Sequence, residues 1–304
     1  MTKAKRLSTH RQYNTYLTAW FNHCQDHSLS PTQATVPQAL AFLDALRHTR
    51  NLSYSATNTA RSALSSIICT PDRQPFGQHP FVKLYLRGVF NTNPPVPKYN
   101  DTWDPDIVLT LLRNWAPAQT LDLKKLTLKV VMLVLLVTGQ RVQTLEFLDI
   151  RYMKQSRSSI TFVLPSLIKQ SRPGFSNPPI KLRSYAPDRR LCIYVYLTEY
   201  LKRTKTLRNS DTALFLTFKA PHHKASKDTI ARWIRGVLTL AGIDTRKYGP
   251  HSVRAASVSA AKRGGATVQD ILSTVGWTSC TTFARYYDKN LDRNTAFDVA
   301  VLNK

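Results

Sequence analysis

The sequence predicts a mainly α-helical protein of two domains, the second carrying a small antiparallel β-sheet. Three observations predict it. Most of the chain places apolar residues three and four apart, the pattern of amphipathic helices. Only the stretch 146–187 breaks that pattern, with short β-like runs at 160–164 and 180–185. Residues 91–105, NTNPPVPKYNDTWDP, hold four prolines and no period, which marks a domain boundary. A chain of 304 residues is long enough for two cores.

The first helix opens after a cap at Ser8-Thr9 and carries Tyr13, Tyr16, Leu17, Trp20 and Phe21 as an expected core stripe. A loop between Pro31 and Pro37 leads to a second, with Ala39, Leu40, Phe42, Leu43 and Leu46 on one face. The third spans about 55–68. Its Thr59, Ser62, Ser65, Ser66 and Arg61 suit either a DNA backbone or an ordinary solvated face. A shorter helix near 80–90, bearing Lys83 and Arg87, completes an all-α domain reaching about residue 95. Residues 96–105 form the linker and 106–304 the second domain.

That domain starts with a helix over 105–115 and a long one over 121–137, whose second half is apolar all round and therefore buried. It stops at Thr138-Gly139, followed by Gln140-Arg141-Val142-Gln143-Thr144-Leu145. An arginine placed directly after a buried helix is held rigidly, as stabilisation of a transferring phosphoryl group requires. Between the β-like runs lies PSLIKQSRPGFSNPP, a basic connection with Lys169 and Arg172. A lysine there either gives a proton to a DNA oxygen or positions a phosphate. Helices over 189–203 and 227–241 follow, the latter with Ile230, Trp233, Ile234, Val237 and Leu238 inward.

The last quarter concentrates the chemistry. His251 and Arg254 stand three apart at the head of an alanine- and serine-rich run ending in Gly264-Gly265, so they share a helix face. A guanidinium pairs with two phosphate oxygens and an imidazole passes a proton; by itself the pair also fits a surface contact or a satisfied buried group. A short helix over 267–275 delivers Gly276-Trp277, and a further one opening near 279–282 carries Phe283, Arg285, Tyr286 and Tyr287.

Composition narrows the partners. With 43 Lys+Arg against 18 Asp+Glu, net +25, the chain calls for a polyanion; its apolar content and lack of a basic low-complexity tail favour a folded nucleic-acid binder over a merely solvated basic surface or an affinity for acidic membranes. Residues 1–100 hold 11 basic and 3 acidic side chains and 101–304 hold 32 and 15, so both domains are basic. Cys24, Cys69, Cys192 and Cys280 lie far apart, and the doublet His222-His223 has no second ligand pair, so neither a metal nor another cofactor is expected. The longest apolar run, 130–137, is too short to cross a bilayer. MTKAKRLSTHRQ has no signal-like apolar segment, so secretion is not expected.

Five blocks taken together, TGQRVQTL, the loop lysine Lys169, HSVR, GW and a tyrosine about ten residues on, resemble the tyrosine recombinases of the phage-integrase family. LIKQSRPG, ILSTVGW and TFARYYDK look most like recombinases of eukaryotic mobile elements of the DIRS, Ngaro and Crypton kinds. The resemblance implies a two-domain, C-shaped DNA clamp, with a helical core-binding domain and an α+β catalytic domain. It implies that Arg141 and Arg254 clamp the scissile phosphate, that His251 manages the nucleophile's proton, and that Lys169 protonates the 5′ oxygen. Trp277 would hold the phosphate through its indole N–H, and Tyr287, with Tyr286 as the alternative, would form a 3′-phosphotyrosyl link without metal or ATP.

Arg61, Lys83, Arg87 and Arg172 are the expected backbone contacts. The family often has an acid three residues after the first arginine; Thr144 stands there, and Glu146 is the nearest carboxylate. The tail 291–304 either docks on a neighbouring protomer, suiting a dimer per site and a tetramer on two, or packs on its own domain. A location in the nucleus follows if the source is eukaryotic, in the cytoplasm otherwise. Two other functions fit parts of the pattern: a non-catalytic DNA-binding descendant, and a type IB topoisomerase.

Overall fold

The computed structural model describes residues 6–70, 74–95, 101–168, 171, 173–174, 177–277, 281 and 283. Lys169, Arg172, Tyr286, Tyr287 and the tail 291–304 lie outside the described residues. The chain divides into two compact units, Met1–Pro97 and Lys98–Lys304.

The first unit is helical: α1 (Leu7–Asp26), α2 (Val36–Thr49), α3 (Tyr54–Leu64) and α4 (Pro80–Thr92). A capping box starts α2, in which Thr35 and Gln38 satisfy each other's backbone N–H groups, so the preceding loop ends before Pro37. Helix α3 packs against the other three. Its buried face is small, Thr57, Ala60, Ala63 and Leu64, which lets its neighbours approach closely. Trp20 is fully buried, edge-on to Phe42 at 5.0 Å, and its indole donates to the Pro31 carbonyl at 3.0 Å. The expected stripe on α1 is core only in part. Phe21 is 47% exposed because it lies about 100° round the helix from Trp20.

The second unit is built round α6 (Leu123–Thr138), which packs against α8 (Ile193–Thr204), α9 (Lys227–Leu240), α10 (Ser252–Arg263) and one strand. Positions 130–135 are each at most 2% exposed. Each such aliphatic side chain contributes about 1.5–3 kcal/mol by leaving water. Helices α5 (Pro105–Asn114), α7 (Val142–Glu146) and α11 (Val268–Val275) complete the helical part.

The sheet is antiparallel in the order β1 (Met153–Gln155), β2 (Ser159–Phe162), β3 (Ile180–Arg183), with Ile160 opposite Leu182. Ile180 and Leu182 face the core, while Lys181 and Arg183 face out, the alternation of a sheet wetted on one side. The fold is therefore the mainly α class with a small antiparallel sheet that the sequence predicts, with β1 as an addition.

Candidate active site

The site is a joint between the end of α6 and the start of α10. Helix α6 stops at Gly139, whose φ of +57° is the left-handed cap conformation. A Cβ there would also stand 3.0 Å from Val275 Cγ2 and 3.2 Å from Val258 Cγ2, so the position needs glycine for its backbone and for its neighbours. The chain then extends through Arg141, the N-cap residue of α7. Arg141 is half-buried between the buried Gln140 and Val142, at the rim of the core.

Helix α10 enters that core with every residue from 252 to 259 buried. Small side chains make this possible: Ala255, Ala256, Ser257 and Ser259 let the backbone lie against α6. Arg254, 3% exposed, donates from Nη1 to the Gly139 carbonyl at 2.8 Å, satisfying one of the carbonyls that a helix end leaves open. A charge-assisted bond of this kind is worth about 1.5–3 kcal/mol net. Ser257 Oγ donates to the Leu136 carbonyl at 2.5 Å, and Gln140 Nε2 donates to the Thr274 carbonyl at 3.1 Å. The two segments bearing Arg141 and Arg254 are thus tied together, and both are tied to α11.

A capping box between Thr267 and Asp270 starts α11, and Gly276 at φ +73° ends it. The Trp277 backbone N–H donates to the Leu272 carbonyl at 2.8 Å, which fixes the backbone at the residue after the helix end. Its ring stands 4.6 Å from the Arg254 guanidinium carbon, a cation–π contact, and 6.3 Å from Phe283. Phe283, three residues before Tyr286, is buried with Val258, Ile271 and Val275.

His251 is exposed, in helical conformation at the residue before α10. Ser252, beside it, accepts a bond from the Trp103 indole at 2.8 Å and donates to the Gly249 carbonyl at 2.7 Å. Arg254 thus lies against Trp277 and on the carbonyl two residues before Arg141, and His251 stands three residues before Arg254 at the head of the same helix. The base of the β2–β3 connection is closed by Asn177, which donates to the Leu164 and Ser166 carbonyls and accepts from Ser171 Oγ at 2.7 Å. Ile168 at that base is 3% exposed. Thr144 is buried, and its N–H donates to the Arg141 carbonyl at 2.8 Å, so this position supports the corner through its backbone.

The expected backbone contacts of the first unit differ from one another. Lys83 and Arg87 are exposed on α4. Arg61 is half-buried: its Nη2 donates to Asn58 Oδ1 at 2.6 Å and its side chain lies over Gly77, where a Cβ would meet Nη1 at 2.6 Å. Thr59 and Ser62 donate their hydroxyls to the carbonyls of Ser55 and Asn58. Sequence reasoning gave no role to Trp103 or Ser257, whose partners are 149 and 121 residues away. Among the described residues no group of His, Cys, Asp and Glu is arranged to hold a metal, and no helix is long and apolar enough to cross a membrane.

A helical unit followed by an α-helical unit with a small sheet is the fold of recombinases and integrases of known structure. The XerH site-specific recombinase, bound to a palindromic difH substrate in a post-cleavage complex, matches with a TM-score of 0.60 at 13% identity, over 89% of this chain and 73% of that one. A lambda integrase dimer bound to a COC′ core site gives 0.55 at 16% identity, over 96% and 93%. The Tn1549 transposon integrase in complex with transposon right end DNA gives 0.54 at 15%, over 89% and 84%. At these identities the likeness is one of fold. The chain itself belongs to the phage integrase family, whose profile matches residues 105–293. No curated protein matches it.

Proposed function

We propose that this protein is a site-specific DNA recombinase that cuts and rejoins double-stranded DNA through a 3′-phosphotyrosyl intermediate. The observation that supports the reading is the joint itself: Arg254, three residues after His251, is buried on the Gly139 carbonyl, two residues before Arg141, and lies against Trp277. Two guanidinium groups presented by one joint are suited to a phosphodiester whose negative charge grows as it becomes pentacoordinate.

In this reading the phenol oxygen of Tyr287, or of Tyr286, bonds to phosphorus while the bond to the 5′ oxygen breaks. His251 takes the phenol proton, Lys169 gives a proton to the departing oxygen, and Trp277 donates its indole N–H to the phosphate. The phosphotyrosyl ester keeps the bond energy, so attack by a 5′ hydroxyl reverses the step. The N-terminal helical domain, to about residue 95, would grip DNA together with the catalytic domain 106–304. Lys83 and Arg87 are its exposed backbone contacts, with Arg172 in the catalytic domain and Arg61 a weaker candidate.

The natural reaction is insertion or excision of a mobile element of the DIRS, Ngaro or Crypton kind, and the place of action the nucleus of a eukaryotic cell. Sequence details around Lys169, Trp277 and Tyr287 support this. Dimers and tetramers are expected on DNA, one dimer per site. The test is covalent trapping on nicked suicide DNA bearing candidate termini, with chelator, followed by peptide mapping. An adduct on Tyr287 or Tyr286 is the expected result; termini that are bound but never linked would leave a DNA-binding protein. Relaxation of a supercoiled plasmid lacking any cognate site would point instead to topoisomerase activity.

A further inference from the structure

We propose that Trp103, assisted by Asp101, is a positioning residue for the cleavage site, so that the last residues of the proline-rich stretch 91–105 set the turn bearing His251 and Arg254. This rests on the recombinase reading above. The Trp103 side chain is 5% exposed and its Nε1 donates to Ser252 Oγ at 2.8 Å. Ser252 is fully buried and its hydroxyl donates to the Gly249 carbonyl at 2.7 Å, so the hydroxyl is held from both sides. It stands between His251 and Arg254 in the first turn of α10.

Two residues before Trp103, Asp101 Oδ2 accepts from Lys247 Nζ at 2.7 Å, and that ammonium lies 4.9 Å from the Tyr248 ring. Residues 101 and 103 therefore hold both ends of the 247–252 turn.

Such a hold has a purpose that packing alone does not supply. The buried face of α10 consists mainly of alanine and serine, which fit against α6 but offer few large side chains to fix where the helix begins. His251 is exposed at the residue before this helix, and a displacement of about 1 Å at a reacting group costs about 10²-fold in rate.

The test measures single-turnover cleavage of suicide DNA at saturating protein for Trp103→Phe, Ser252→Ala and the double variant, with DNA Kd measured alongside. Each single change is expected to slow cleavage about tenfold or more with Kd within about twofold. The double variant should be no slower than the worse single one, because both remove one shared bond. Asp101→Asn should slow cleavage in the same direction, by less.

Wild-type rates in either single variant, multiplicative losses in the double, or a loss carried by Kd would overturn the proposal. Where Trp103→Phe does not fold, Ser252→Ala and Asp101→Asn carry the test, and normal cleavage by both overturns it. Arg254→Ala is the separate control on the recombinase reading. If the wild type forms no adduct or Arg254→Ala still cuts, that reading falls and takes this one with it; if the control holds while the Trp103, Ser252 and Asp101 variants cut normally, only the positioning proposal fails.

Discussion

Arg254 and Arg141 flank one joint but differ in what their loss would do. Arg254 is buried and bonded to the Gly139 carbonyl, so its replacement by alanine also leaves that carbonyl without this donor, at a cost of about 1–3 kcal/mol. Arg141 is half-buried at the corner, so Arg141→Ala is the cleaner experiment. Cleavage is expected to fall by about 10²–10³-fold while DNA affinity changes by less than about tenfold, since many other cations remain. Unchanged cleavage would remove Arg141 from the site.

Lys129 gives a second prediction at this scale. It is fully buried, donates to the Leu112 and Trp115 carbonyls at 2.6 and 2.5 Å, and lies 3.6 Å from the centre of the Tyr196 ring. Burial lowers its pKa to about 7, with Asp188 opposing and Arg190 adding. The folded pKa is below the unfolded value, so between about pH 7 and 10 the unfolded chain binds more protons and this lysine makes stability rise with pH. Subtracting the urea stability of Lys129→Met from that of the wild type should isolate a rise of a few kcal/mol across that window; a flat difference would refute it. The His251–Arg254 pair was legible as a three-residue spacing, whereas Lys129 was not: inside an apolar run a cation has no periodic signature, and its partners come from another helix.

At the scale of elements, the end of α6 is the sensitive place. Gly139→Ala forces a Cβ into a left-handed residue, costing about 1–2 kcal/mol. It also presses that Cβ on Val275 and Val258. Urea unfolding should show a loss of at least about 2 kcal/mol, and cleavage should fall further than the unfolded fraction explains, because the Arg141 corner and α11 both move. A loss of stability with normal cleavage by the folded fraction would mean that the corner tolerates the shift.

The boundaries of α11 could be read from Thr267, Asp270 and Gly276 because caps are local chemistry. Strand β1 could not, because Met153-Lys154-Gln155 lacks alternation and pairs only through the register that β2 provides. Phe21 misled for a related reason: adjacent aromatic residues cannot both face inward on a helix with one buried side.

For the whole molecule, the net charge of +25 makes DNA affinity a property of ionic strength. Contact with six to ten phosphates predicts a drop of about 10³–10⁵ in affinity between 50 and 200 mM salt, with a linear double-logarithmic plot. A slope near zero would place the positive charge away from the nucleic acid. The prolines of 91–105 lead the sequence to expect a boundary there, because proline and missing periodicity report directly on local backbone, and the chain divides into two compact units at Pro97 and Lys98. The joint between α6 and α10 was visible only as separate blocks. Nothing in TGQR or HSVR states that an arginine side chain will end on a glycine carbonyl 115 residues earlier.

That long separation bears on when the protein becomes dangerous to DNA. During synthesis the Arg141 corner leaves the ribosome more than a hundred residues ahead of Arg254, and the tyrosines come later still. The corner is tied down by Arg254 and Ser257 of α10 and by the Thr274 carbonyl of α11, so a nascent or truncated chain lacks these ties. On the recombinase reading proposed above, competence to break a strand would arrive only with the C-terminal third, and the order of folding would be a safeguard against stray nicking.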